Sequence, residues 1–182
     1  MCPIAAEKKY RKKAPAGLSE TEIVRAAIEL GARKARIVSP RRVVTAHWVR
    51  WKCCFGCSGY QSNLMCPPYT PLPAETRLML DQYKRAILFE ADRGRPKKIA
   101  LALENKLFLQ GFYKAFGMGA GPCRLCKECA FEEGCRKPEL ARPALESCGI
   151  DVFATARRHG FTINVVRDEN DPQHYFGLVL ID

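Results

Sequence analysis

Hydrophobic positions along the chain fall into short periodic blocks separated by two long aperiodic stretches. Ser19 followed by Glu22 reads as a capping box. Ile23, Ala26, Ala27 and Leu30 recur behind it at helical spacing, which predicts a helix to about Glu29 with Gly31 as its stop. Residues 36–38 read as a short strand. Residues 43–49, rich in β-branched and aromatic side chains, read as a better one. The stretch 53–73 has almost no periodicity. Residues 74–83 then read as a helix with Leu78, Leu80 and Tyr83 inward, and 86–90 as a short buried strand. The longest predicted helix spans 97–116, with Ile99, Leu101, Leu103, Leu107, Phe108, Phe112 and Phe116 forming a broad apolar face. The second aperiodic stretch, 117–149, opens on Gly117, Gly119 and Gly121, which read as a flexible lead-in. A short helix over 150–159, stopped by Gly160, and strands over 161–166 and 175–181 complete the pattern.

Strands and helices mix without strict alternation. That predicts an α+β fold: a single sheet of about four or five strands, helices on one face, and the two aperiodic loops together on one side. The predicted organisation is a flexible basic arm over residues 1–17 and a single domain over 18–182, with its loops at 53–73 and 117–149. At 47% hydrophobic and 27% charged, the composition excludes wholesale disorder, a collagen-like fibre and a coiled coil. No apolar run approaches the roughly 20 residues that a membrane span needs. The first residues also lack the continuous apolar core of a secretory signal. A cytoplasmic protein is therefore expected, with no membrane partner.

Ten cysteines in 182 residues change the picture. A chain of this length buries a core without staples, and in a reducing compartment closely spaced cysteines act as thiolate ligands. Cys123, Cys126, Cys129 and Cys135 follow C-x2-C-x2-C-x5-C, with Pro138 three residues on. Three cysteines at intervals of three wrap one cubane, as in the ferredoxin run. Structural zinc prefers two ligand pairs split by a longer loop, which makes it the weaker reading of this spacing. The earlier loop offers Cys57, Cys66 and one of the adjacent Cys53 and Cys54. Its fourth ligand comes from elsewhere, is a non-protein group, or is absent. Cys148 is the best protein candidate, against the alternative of a small buried hydrophobe. Cys2 reads as a bystander. His47, His159 and His174 form no ligand spacing and read as surface or strand residues. The chain has neither a phosphate-binding glycine loop after a strand nor a nucleophile elbow, and no catalytic residue stands out.

Gly56-Cys57, Cys66-Pro67-Pro68-Tyr69-Thr70-Pro71, Gly121-Pro122-Cys123-Arg124-Leu125-Cys126, Ala141-Arg142-Pro143 and Glu146-Ser147-Cys148-Gly149-Ile150-Asp151-Val152 occur in that order. In this combination the chain resembles a family of predicted metal-binding proteins, domain of unknown function 2284, which is cysteine-rich and found mostly in anaerobic bacteria and archaea. The resemblance runs from about Glu22 to Asp182. It implies a Lys-Cys-x-x-Gly-Cys pattern at the first loop, which selects Cys53 and leaves Cys54 as its substitute, and it includes Cys148 in a motif. It implies metal but no reaction.

The expected cofactor is thus the 4Fe–4S cluster, two per chain. The formal charge of +11 would fall to about +7 with two such clusters, each contributing −2 with its thiolates. A basic cluster protein suits an acidic redox partner, so electron transfer is the leading expectation. An enzyme with an open iron at the first loop is the alternative. A nucleic-acid-binding adaptor with structural metal is the second, resting on the basic runs at 8–13 and 33–42 without a recognisable motif.

Overall fold

The structure, a computed structural model, describes residues 17–182. The basic run at 8–13, Cys2 and nearly all of the expected arm lie outside these residues. Helix α1 (Glu20–Glu29) begins as the sequence predicts: the Ser19 side chain accepts from the Glu22 N–H, and the Glu22 carboxylate accepts from the Ser19 N–H at 2.8 Å. Strands β1 (Lys34–Val38), β2 (Ala86–Ala91), β3 (Phe116–Met118) and β4 (Tyr175–Leu180) form one antiparallel sheet in the order β1-β2-β4-β3. The α+β class holds, and four strands fall within the expected number.

The predicted one-sided arrangement does not hold, because helices cover both faces. In β2, Ile87, Phe89 and Ala91 point to one side, where α1 and α4 (Pro96–Leu109) bury Ile23, Ala26, Ala27, Ile99, Leu103 and Leu107. Ala86 and Leu88 point to the other, where α3 (Pro73–Leu80), α5 (Val152–Arg158) and the segment around Leu145 and Ile150 pack with Phe176 and Leu178. All six β2 residues are buried, as a central strand covered on both faces requires.

Several boundaries also move. Residues 43–49 are not a strand. Val43 to Ala46 are extended and make one isolated bridge, Thr45 to Ile150, before α2 (His47–Gly56) begins. The β-branched and aromatic side chains there fit a helix whose inner face is only Val49 and Arg50. The longest helix ends at Leu109, and Phe116 starts β3 instead of continuing it. Gly111, at φ +94°, takes a left-handed turn between them. Phe108 and Leu78, expected inward, are exposed. Residues 161–166 bury Phe161 and Ile163 but join no ladder, so their alternation reflects packing without strand pairing.

Candidate metal centre

The first cysteine stretch runs from α2 to α3, and the second leaves the end of β3 beside α4. The 117–149 stretch is closed at its base. Gly119 N–H donates to Pro143 O and its carbonyl accepts from Leu145 N–H, so the intervening loop starts and ends at one point. The Gly117 and Gly119 positions are close-packing glycines, not a flexible lead-in. A β-carbon on Gly119 would stand 2.5 Å from Lys97 Cγ and 2.7 Å from Lys97 N, and one on Gly117 3.0 Å from Ala100 O. Arg142 pins the returning strand: its guanidinium meets both oxygens of the buried Glu104, at 2.5 and 2.7 Å, and Glu104 also accepts from Gly117 N–H.

The first loop is framed by Arg50. Its Nη1 donates to Thr70 O, Thr70 Oγ1 and Ser147 O at 2.9–3.1 Å, joining α2, the loop's end and the turn that carries Cys148. Thr76 Oγ1 donates to Cys148 O at 2.7 Å. Gly149, at φ +74°, lies against Pro73, where any β-carbon would collide. The backbone at Gly149 thus approaches Pro73 too closely for any side chain.

All nine cysteines among the described residues are free thiols. Cys53 and Cys54 sit in the last turns of α2, not in a loop, and the helix aims them apart. Cys53 lines a cleft together with Cys57, and its thiol is pushed up first by burial and then by the Cys57 charge. Hydrogen bonding to Cys54 raises the Tyr60 phenol. Cys57 and Cys66 face one small space: a β-carbon on Gly59 would stand 3.4 and 3.8 Å from their sulfurs. Cys57 Sγ accepts from Gly59 N–H at 3.3 Å, and Cys66 Sγ from Asn63 Nδ2 at 3.4 Å. Burial raises the Cys66 thiol and the Asn63 bond offsets part of that rise, while Cys57 and Cys123 both oppose its ionisation.

The two loops touch. Leu64 N–H, in the first, reaches Cys129 Sγ, in the second, at 3.4 Å. Cys126 is exposed, and Cys123, Cys129 and Cys135 are half-buried. Cys148 is 3% exposed and packs among core residues, and burial pushes its thiol up to about 11. Between the loops lies Lys97, the second residue of α4. Its Nζ is fully covered and makes no hydrogen bond. Burial lowers its pKa, while the surrounding Cys123, Cys66, Glu146 and Cys148 favour its charge. Burial likewise raises the Glu146 carboxyl.

Sequence reasoning missed Lys97, Arg50, Asn63 and Glu146. Nothing local marks the first two, since one stands in a helix-start Lys-Lys pair and the other among tryptophans. His174 lines the cleft that Cys53 and Cys57 share, while His47 and His159 do not. His174 is not a free surface residue, for its Nδ1 lies 2.8 Å from the buried Glu90.

Among the described residues, no three His, Cys, Asp or Glu side chains converge closely enough to hold a single ion, and no helix is long and apolar enough to cross a membrane. The donor set suits a thiolate-bound group: soft sulfurs that accept N–H bonds, with a covered ammonium among them that no protein group satisfies. No curated protein and no solved structure matches the chain. A family model described as "Predicted metal-binding protein (DUF2284)" matches residues 36–181, which takes in all the loop cysteines and Cys148, and the chain belongs to that family.

Proposed function

We propose that this metal-binding protein carries two 4Fe–4S clusters and transfers electrons as a redox partner or subunit. Cys53, Cys57 and Cys66, with Cys148, would hold the first, and Cys123, Cys126, Cys129 and Cys135 the second. The observation that carries the reading is the contact between two thiol-rich loops around the unpaired ammonium of Lys97. A single zinc ion needs sulfurs packed at bond lengths of about 2.3 Å from one point. Thiolates on the separate irons of a cubane stand further apart than those around one zinc ion. When bound, such clusters would supply one-electron chemistry at potentials set by hydrogen bonds and burial. The chain's own groups serve that end: Gly59 N–H, Leu64 N–H and Asn63 Nδ2 donate to sulfur, and Lys97 offsets negative charge.

Exposed Cys57 and Cys126 keep the candidate centres near the surface. Trp51 and Phe55 of α2, whose C-cap is Cys57, are 69% and 87% exposed. An acidic redox protein would meet an apolar contact there and a basic surround.

A second reading, an enzyme with an iron open to substrate at the first loop, is favoured by the cleft of about 760 Å³ that Cys53 and Cys57 share with Glu146 and Trp48. The test is anaerobic purification with metal and sulfide analysis. About eight irons and eight acid-labile sulfides per chain are expected, with broad absorbance near ~400 nm. Stoichiometric zinc without sulfide refutes both readings.

A further inference from the structure

A second concavity, about 490 Å³, opens where α4 begins and the second cysteine loop departs. Arg93, Lys97, Lys98, Arg124 and Arg142 line it, and no carboxylate does. Arg142 is neutralised by Glu104. Arg93, Lys98 and Arg124 make no ion pair among the described residues. Three uncompensated cations facing one cleft repel each other, an arrangement that an anion relieves. The first turn of α4 adds to this field. It contains no acidic residue, no side chain caps it, and its dipole presents positive charge to the same space. Gly94, at φ +75°, leaves the approach to that turn open, since nothing lies within 4 Å of where its β-carbon would be.

The remaining wall is apolar, formed in part by Leu101 and Leu140. A surface built only for solvated charge has no use for this wall, whereas an organic anion needs both parts. The volume falls within the usual range of roughly 300–1,000 Å³ for small-molecule sites. Two arginines offer planar, bidentate donors, and Lys98 adds a point charge, a set that matches a phosphate dianion better than a single carboxylate.

We propose that this cleft binds a small organic phosphate, its phosphoryl group held by Arg93, Lys98 and Arg124 and its carbon body against the leucine wall. The location links the ligand to the candidate metal centre. Lys97 contributes to the cleft wall while its ammonium lies among Cys66, Cys123 and Cys148. Pro122 and Arg124 of the wall flank Cys123 directly in sequence. A ligand seated here is thus one side chain away from the thiols, whatever metal they hold.

Calorimetric titration of the full chain with inorganic pyrophosphate and with adenosine monophosphate, at low salt, tests this. Pyrophosphate is expected to bind with Kd below about 1 mM. Arg93→Ala combined with Arg124→Ala should weaken it about tenfold or more, with Lys98→Ala intermediate. All three side chains are exposed or half-exposed, so circular dichroism should report an intact fold. Arg41→Ala combined with Lys84→Ala removes an equal charge from the opposite end of the sheet, beyond the Val38–Ala86 pair, and should change affinity less than about twofold. Adenosine monophosphate should bind more tightly than inorganic phosphate titrated alongside it, because only it reaches the apolar wall. No pyrophosphate binding at about 1 mM, or an equal loss in the Arg41→Ala, Lys84→Ala pair, overturns the proposal. So does a single-stranded RNA oligonucleotide that binds far more tightly than adenosine monophosphate and is weakened by the same Arg93→Ala, Arg124→Ala pair, since that outcome assigns the cations to a nucleic-acid surface.

Discussion

Cys148 is the residue on which the choice between electron carrier and enzyme turns. It is buried against Leu145 and Ile150, and burial holds its thiol near 11, so in the metal-free protein it is protonated at neutral pH. A bound metal displaces that proton outright, and Arg50 and Lys97 already favour the thiolate. If Cys148 is a ligand, Cys148→Ala should change the electron paramagnetic resonance signal of the reduced first cluster, or lose about one iron in eight. Retention of all the iron with an unchanged spectrum would leave the first site an open iron and turn the reading to the enzyme. The same residue also fills core space. Its truncation should lower stability by only about 1 kcal/mol, little enough for the spectrum to be read on folded protein.

At the scale of elements, the close approach of the 117–121 segment to α4 sets where the second loop departs. A β-carbon at Gly119 meets backbone atoms of Lys97, which cannot swing aside, so Gly119→Ala should cost about 1–3 kcal/mol and lower Tm by about 3–10 °C. Gly56, at the end of α2, has open space around it, and Gly56→Ala should leave Tm unchanged or slightly raised. Equal losses from the two substitutions in a thermal melt would contradict this account.

Such contacts are also where the sequence was least legible. Signals carried by neighbouring residues survived translation into structure: the Ser19–Glu22 box and the apolar run at 86–90. Residues 43–49 misled because Val, Thr and Trp favour strands by fitting a half-buried surface. Here the chain turned helical to carry Arg50 under Thr70 and Ser147. Residues 161–166 alternate as a strand does, because Phe161 and Ile163 are buried, yet pairing depends on a neighbour that local pattern does not reveal. Lys97 was invisible for the same reason, since its partners lie 26 to 51 positions away in Cys66, Cys123, Glu146 and Cys148.

For the whole molecule, the question is whether two thiol loops in contact behave as two centres or as one. The second loop meets the first through Cys129, bonded by Leu64 N–H, and through Cys123, whose charge reaches Cys66. Cys126 stands on the exposed side, away from that seam. The two ends of one loop should therefore respond differently to the same chemical change. Cys126→Ser should remove about four of eight irons and leave the first cluster's spectrum as it was, since no bond to the first loop passes through its sulfur. Cys123→Ser should also remove the second cluster. In addition it should shift the reduced first cluster's signal, because it changes the charge beside Cys66 and Lys97. Iron counts and resonance spectra of both variants, taken on protein with native circular dichroism, decide the matter. Loss of all iron from Cys126→Ser in folded protein would mean that the loops share one site, with Cys66 and Cys123 as its nearest corners.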